Sequence, residues 1–255
     1  MIKKIFPTEA DLYNLSIKRT IAPIAPEKID YRNVVVDKPW GYEYLLFENS
    51  LAAVWILFLK HGAKTSMHCH PRKKTSLLVL DGAVNTSSLD THFALKIFDG
   101  LIIDRGVFHS TACSSKGGVF IMEVETPPDK ADLVRLKDEY GRENQGYEGE
   151  GNISKDLHKY EHHSFESGIS QKRKLIERTI RDCRVVFHAN EDWQKFFSEI
   201  QTKNFCVVCF LDISIRNLNG QIIIEAGEVV DGKWLAEHFA DFQDPKSQFE
   251  ALTIH

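Results

Sequence analysis

The sequence predicts a mostly β protein: a barrel or sandwich of short strands, followed by a smaller α+β unit. Three observations carry the prediction. Between residues 34 and 125, short apolar runs are cut at intervals by glycine turns, the pattern of a closed or double-layered β fold. His68 and His70 stand two apart in a run that reads as a strand, so their side chains share one face. After residue 172, strand-like runs are interrupted by helical spacing, which marks a change of architecture.

Taken in order, residues 1–33 combine a short amphipathic pattern at 9–17 with a proline-bearing stretch at 21–26. They read as an N-terminal arm with one helix, packing on the barrel or on a partner chain. The barrel is assigned to residues 34–145. Its strands are read at 34–36, 42–47, 53–59, 75–80, 93–97, 101–103 and 119–124, with a histidine-bearing strand between Gly62 and Gly82. Gly62, Asp81-Gly82, Asp99-Gly100, Arg105-Gly106 and Gly117-Gly118 supply the turns. Periodicity alone does not choose between a jelly roll and another sandwich. Pro127 and Pro128 stop the last strand, and 131–139 reads as a short helix capped by Gly141.

Residues 146–171 are polar and glycine-bearing and read as a linker or a long excursion. His158, His162 and His163 within it are expected to be solvent-exposed rather than metal ligands. The last unit, 172–255, is read with strands at 183–187, 205–213 and 221–225, and helices at 191–200 and after Gly232. That suits either a small α+β unit or a degenerate second barrel half. His188, His238 and His255 are isolated there and read as structural.

Composition narrows the function classes. A chain of 255 residues with 43% hydrophobic and 27% charged residues is an ordinary globular protein of one large or two small domains. A net charge of -4 with no basic stripe excludes a nucleic-acid footprint. The longest apolar run, 51–59, is too short to span a bilayer, and the first residues lack the apolar core of a signal peptide. Five cysteines without framework spacing fit a reduced, cytoplasmic setting. Cys206 and Cys209 form a lone CxxC in an apolar run, with no second pair to build a zinc site.

The chemistry concentrates at 60–82 and 104–109. His68 and His70 can reach one metal ion while Cys69 points the other way, and His109, just after a glycine turn, can be brought alongside by a partner strand. Three neutral imidazoles with an open coordination position suit a divalent Zn, Fe, Mn, Ni or Co. A histidine pair on a strand is, alternatively, only a surface or core pair. Arg72, Lys73 and Lys74 beside it suit a small anionic ligand more than a polymer, although on charge alone a solvated turn is the preferred reading. Arg135, Tyr140 and Arg142 can form a basic cluster at the barrel mouth, where the planar guanidinium fork suits phosphate or carboxylate. Ion pairing with Asp132, Asp138 and Glu139 is the competing reading.

The pattern Gly62, five residues, His68-Cys69-His70, four residues, Thr75, six residues, Gly82 resembles the first motif of the cupins. The second motif is similar at Gly106 and His109, with Asp104 in place of its proline and Cys113 in place of its asparagine. KPWGYE at 38–43 and DLVRLKDEYGR at 132–142 resemble the signatures of the type II phosphomannose isomerase cupins. The resemblance covers roughly residues 34–145 and implies a double-stranded β-helix, the jelly-roll form of the barrel. Thr75 stands where the family has a glutamate ligand, which leaves His68, His70 and His109 as the metal set.

The resemblance implies a sugar phosphate or nucleotide sugar as substrate, aldose–ketose isomerisation as the reaction, and a homodimer. In that reading the metal acts as Lewis acid, Arg135, Arg142 and Lys74 hold the phosphate with Tyr140 beside them, and Glu43 or Glu125 is the base. Either carboxylate is alternatively structural. Two other classes stay open: a sugar-binding or regulatory cupin without catalysis, favoured by Thr75, and a non-haem metal oxygenase.

Overall fold

The structure, a computed structural model, describes residues 1–18, 29–143, 145–165, 175–203, 205–245 and 247–255. The proline-bearing stretch at 21–26 and the end of the expected linker, 166–171, lie outside the described residues.

Strand β1 (Ile2–Ile5) and helix α1 (Glu9–Lys18) open the chain. The barrel strands follow: β2 (Val35–Lys38), β3 (Gly41–Glu48), β4 (Ala53–Leu59), β5 (Met67–Cys69) and β6 (Lys74–Asp81). Then come β7 (Ala83–Ser88), β8 (His92–Lys96), β9 (Gly100–Ile103), β10 (His109–Cys113) and β11 (Val119–Thr126). Two short strands, β12 (Val134–Lys137) and β13 (Ile153–Ser154), complete the sheets. One sheet has eight strands in the order β1-β9-β6-β11-β4-β3-β2-β13, and the other five in the order β12-β5-β10-β7-β8. From β4 onward the chain passes back and forth between the two sheets, with β7 and β8 as a hairpin within the second, which makes the mostly β fold a double-stranded β-helix.

Alternation along each strand divides the apolar residues between two cores. Leu45, Trp55, Leu57, Leu77, Val79 and Ile121 point into the barrel. Tyr44, Leu46, Ile56, Leu78, Leu80 and Met122 point out of it. A strand buried on both faces reads as a continuous apolar run, which explains the runs at 42–47, 53–59 and 119–124. At Gly41 a Cβ would stand 1.9 Å from the Phe58 carbonyl oxygen, so the close approach of β3 to β4 requires glycine.

The outward face is covered by the C-terminal unit. Its strands are β14 (Leu175–Ile180), β15 (Cys183–Glu191), β16 (Val207–Phe210), β17 (Ile215–Arg216), β18 (Ile222–Ile224), β19 (Val229–Asp231) and β20 (Phe249–Ile254). They form a sheet β14-β15-β20-β16-β19 and a separate pair β17-β18. Val185, Phe187, Val207, Cys209, Leu252 and Ile254 share one core with the back of the barrel. Helices α2 (Trp193–Lys203) and α3 (Gly232–Glu237) cover the other face through Trp193, Phe196, Phe197 and Leu235. Of the two sequence alternatives, the unit is thus α+β.

Two expectations are corrected. The helix read at 131–139 is absent; Val134–Lys137 is instead an edge strand paired with β5. Its alternation of apolar and charged residues satisfies a strand, and Asp132, accepting from the backbone N–H groups of Arg72 and Lys73 at 2.7 and 2.8 Å, fixes the entry. The region expected as a linker is also built into the fold. Ile153 and Ser154 pair with β2, and Phe165 is fully buried. Among the described residues no helix is long and apolar enough to cross a membrane.

Candidate metal centre and cavity

Antiparallel pairing of β10 with β5 sets His109 directly opposite His68, and β12 on the other edge of β5 sets Arg135 opposite His68. His70 follows on the same face. The ring centroids lie 4.5 Å (His68–His109), 5.0 Å (His68–His70) and 5.5 Å (His70–His109) apart, and one ring nitrogen from each falls within 4.8 Å of the others.

Each ring is oriented from behind. The Nδ1 atoms lie 2.8 Å from the Ser66 carbonyl, 2.6 Å from that of Asp132 and 3.0 Å from that of Val107 for His68, His70 and His109 respectively. A carbonyl only accepts, so Nδ1 carries the proton and Nε2 keeps its lone pair. The buried Nε2 of His70 has no hydrogen-bond partner among the described residues. Burial drives all three pKa values down; His68 and His70 fall well below the ordinary range and His109 falls to about 4. Neutral, oriented imidazoles with free Nε2 lone pairs are the donor set of a divalent transition metal. His68, His70 and His109 are placed to hold one such ion. Among the described residues no such group includes the other histidines.

Thr75 takes the expected position of the glutamate ligand but brings no carboxylate, and its buried hydroxyl has no partner among the described residues. Its neighbour across the sheet is Glu125. That carboxylate is buried between two ammonium groups, Lys73 at 2.8 Å and Lys130 at 2.9 Å. Burial pushes its pKa up, but the two lysines outweigh this and hold it below the ordinary range. Lys130 also lies 3.3 Å from Glu43 and 3.6 Å from the centre of the Trp55 ring. Glu43 is buried with Lys38 3.5 Å away and accepts from the Tyr147 hydroxyl.

Glu123, two residues before Glu125 and on the same inward face, is held differently. It makes no ion pair or hydrogen bond among the described residues, and burial pushes its carboxyl up, with Lys130 pulling against it. Two neighbouring carboxyls with oppositely displaced pKa values suit a division of labour between proton transfer and fixed charge.

These groups line one cavity. Glu43, Glu123, Glu125, His68, His70, Lys38, Lys73, Lys130, Arg135 and Arg142 all face it, together with Tyr147 and Glu148, and the free space is about 60 Å³. That is room for a few waters. Of the anion-binding candidates, Arg135 and Arg142 are in the cavity wall. Lys74 is not: strand alternation puts it on the outer face, buried against Glu225 at 2.6 Å and Glu228 at 2.7 Å in the C-terminal unit. Tyr140 is also outside, exposed, with its hydroxyl 3.5 Å from the Lys64 amide. The ion pair Arg142–Asp138, at 2.7 Å, forms as the competing reading has it. Lys38, Glu123 and Lys130 carry no site assignment from the sequence, and Lys73 is read there only as part of the basic run 72–74. For Glu123 and Lys73 the period of two was available, since Glu125 and Thr75 mark the inward face. For Lys130, in a loop, and for Tyr147 and Glu148, in the polar segment, no pattern marks them.

No protein-family model matches the sequence, and no curated protein matches it. Solved structures do. A KdgF from Halomonas sp. aligns at 13% identity and a TM-score of 0.35, over 42% of this chain and 94% of that one. An RmlC-like cupin from Shewanella frigidimarina aligns at 17% identity and 0.35, over 42% and 92%. A sugar phosphate isomerase of the cupin superfamily from Silicibacter pomeroyi aligns at 17% and 0.34, over 37% and 64%. Likeness at this level carries no argument about chemistry. The fold rests on the chain's own sheet order and is a double-stranded β-helix.

Proposed function

We propose that the protein is a metal-dependent cupin that moves a proton between adjacent carbons of a phosphorylated or nucleotide-linked sugar, an aldose–ketose isomerase. One observation supports the reading above others: Glu123, without ion-pair partners and raised in pKa, faces the same cavity as His68, His70 and the locked Glu125, with His109 grouped against the two histidines. A divalent metal held by His68, His70 and His109 supplies Lewis acidity toward a substrate oxygen. Glu123 takes the proton from one carbon and returns it to the next. Glu125, fixed as a carboxylate, holds the Lys73 and Lys130 side chains in position. Arg135 and Arg142 bind the anionic group of the sugar.

A second reading has its own support. Thr75 in place of a carboxylate ligand and the small free space favour a binding or regulatory cupin without turnover. Elemental analysis of the purified protein and its His68→Ala variant tests the metal first. About one equivalent of metal, lost in the variant, is the expected result. Incubation with aldose and ketose phosphates in D2O then separates the readings. Deuterium incorporation that Glu123→Gln abolishes supports the isomerase; metal and sugar-phosphate binding without exchange leaves the binding protein.

A further inference from the structure

The cavity holds two carboxylates that the proposed reaction does not use, Glu43 and Glu148, and Glu148 comes from the polar segment after β12. Arg142, at the end of the segment after β12, is followed by residues that fold back into the barrel mouth. Arg135 Nη1 donates to the carbonyl of Gln145 at 2.6 Å and to that of Gly146. Tyr147 enters with its ring 3.7 Å from Lys38 Nζ and its hydroxyl on Glu43. Glu148 then sets its two oxygens among three cations. Oε2 accepts from Lys38, Oε1 accepts from Arg142, and Arg135 Nη2 lies 3.5 Å from Oε1. The side chains of Lys38, Arg135, Arg142 and Glu148 are 3, 4, 10 and 7% exposed.

The flanking backbone is held far less firmly. Gln145, Gly146, Gly149 and Glu150 are exposed, and a Cβ added at Gly146, Gly149 or Gly151 would meet nothing within 4 Å. The segment is therefore anchored by two inserted side chains and the Arg135 contacts, with glycines on either side that make its backbone easy to turn. Three buried cations converging on one carboxylate is the arrangement expected of an anion-binding site, and a carboxylate at the end of a short side chain is a fair replica of a ligand's carboxylate or phosphate.

We propose that Lys38, Arg135 and Arg142 form a subsite for the phosphate or carboxylate of a small ligand, and that Glu148 occupies it until that ligand displaces residues 145–148. The inference rests on the reading of the cavity as a ligand site, and does not require isomerisation. Withdrawing Tyr147 and Glu148 also enlarges the cavity from water scale toward the size of a sugar. The closed segment competes with every anion, so apparent affinity falls by the fraction of molecules that are open. A segment closed ten times out of eleven weakens binding about tenfold.

The test is calorimetric titration of the metal-loaded protein and its Glu148→Ala variant with inorganic phosphate, a sugar monophosphate, a sugar carboxylate and the corresponding neutral sugar. Glu148→Ala is expected to bind the anions about tenfold more tightly than the wild type and the neutral sugar no better. Whether phosphate or carboxylate gains more identifies the ligand's anionic group. Should that variant not fold, Glu148→Gln, which keeps the size and loses the charge, gives the same comparison. Limited proteolysis supplies the second readout: cleavage within 145–150 rises when the anion binds and draws Tyr147 and Glu148 out of the cavity. Equal affinities in wild type and variant, or a segment that stays protected in the complex, overturn the proposal. Tighter anion binding by the variant in a protein that exchanges no sugar proton keeps the subsite and removes only the isomerase reading.

Discussion

Replacing Lys130 by methionine removes an ammonium group on which the buried charges of the cavity depend. Its Nζ lies 2.9 Å from Glu125, 3.3 Å from Glu43 and 3.6 Å from the centre of the Trp55 ring. Methionine fills similar volume, so the loss is chiefly electrostatic. Leaving a buried charge without its partner costs about 3–5 kcal/mol. Here each carboxylate keeps a second cation, Lys73 at 2.8 Å for Glu125 and Lys38 at 3.5 Å for Glu43. The lower end, about 3 kcal/mol, is therefore expected, of which the cation–π contact contributes about 1 kcal/mol. For a chain of this size that corresponds to a fall in Tm of roughly 6–12 °C. Urea unfolding and calorimetry of Lys130→Met, Glu125→Gln and the double variant measure it. Neutralising Glu125 beside the missing lysine should recover at least about 1 kcal/mol relative to additivity. A single variant that loses less than about 1 kcal/mol, or a double variant that is strictly additive, refutes the argument that these charges are mutually supported.

Further outcomes follow from the same geometry. Glu125 is depressed in the folded state, so its stabilisation is present above the unfolded carboxylate value of 4.5 and disappears as pH falls below it; the urea midpoint should decline on acidification and decline less in Glu125→Gln. Gly227 has φ of 80° and a Cβ there would stand 2.3 Å from Thr126 Cγ2, whereas Gly220, with φ of 82°, has open space. Gly227→Ala should therefore cost about 2–3 kcal/mol against about 1 kcal/mol for Gly220→Ala, read from urea midpoints. Asp11, 1% exposed, accepts from Thr8 N at 2.8 Å and from the Phe108 amide at 2.9 Å. Asp11→Ala should cost about 2 kcal/mol and weaken metal binding through the backbone of the adjacent His109, measured by competition with a chelator.

Legibility followed from periodicity. A strand buried on one or both faces announces itself, which is why β4 is found residue for residue at 53–59 and β3, β6 and β11 nearly so. His68 and His70 share a face for the same reason, and the glycine turn before His109 suggested the pairing that the β5–β10 register contains. Lys130, Tyr147 and Glu148 escaped because no period marks them. Lys130 reaches Glu125 from a loop, and Tyr147 and Glu148 are two inserted side chains in a polar run. At 131–139 the sequence satisfies both helix and strand locally, and pairing with β5 decides. Lys74 was misplaced by one position: Lys73 and Lys74 are equivalent by composition, and only the parity set by Thr75 and Leu77 separates the inward lysine from the outward one.

The double burial of the eight-stranded sheet bears on how the molecule can associate and how it can be divided. Tyr44, Leu46, Ile56, Leu78 and Met122, on the side away from the cavity, are covered by the chain's own β15, β16 and β20. A truncated chain ending before residue 172 would present that face to water as a broad apolar surface, and aggregation rather than a free-standing barrel is its expected fate. For the whole chain the face is already spent. A second copy, where one associates, must use a sheet edge or the helical side of the C-terminal unit, because this protein carries within one polypeptide the layer that an uncovered barrel would have to borrow from a neighbour.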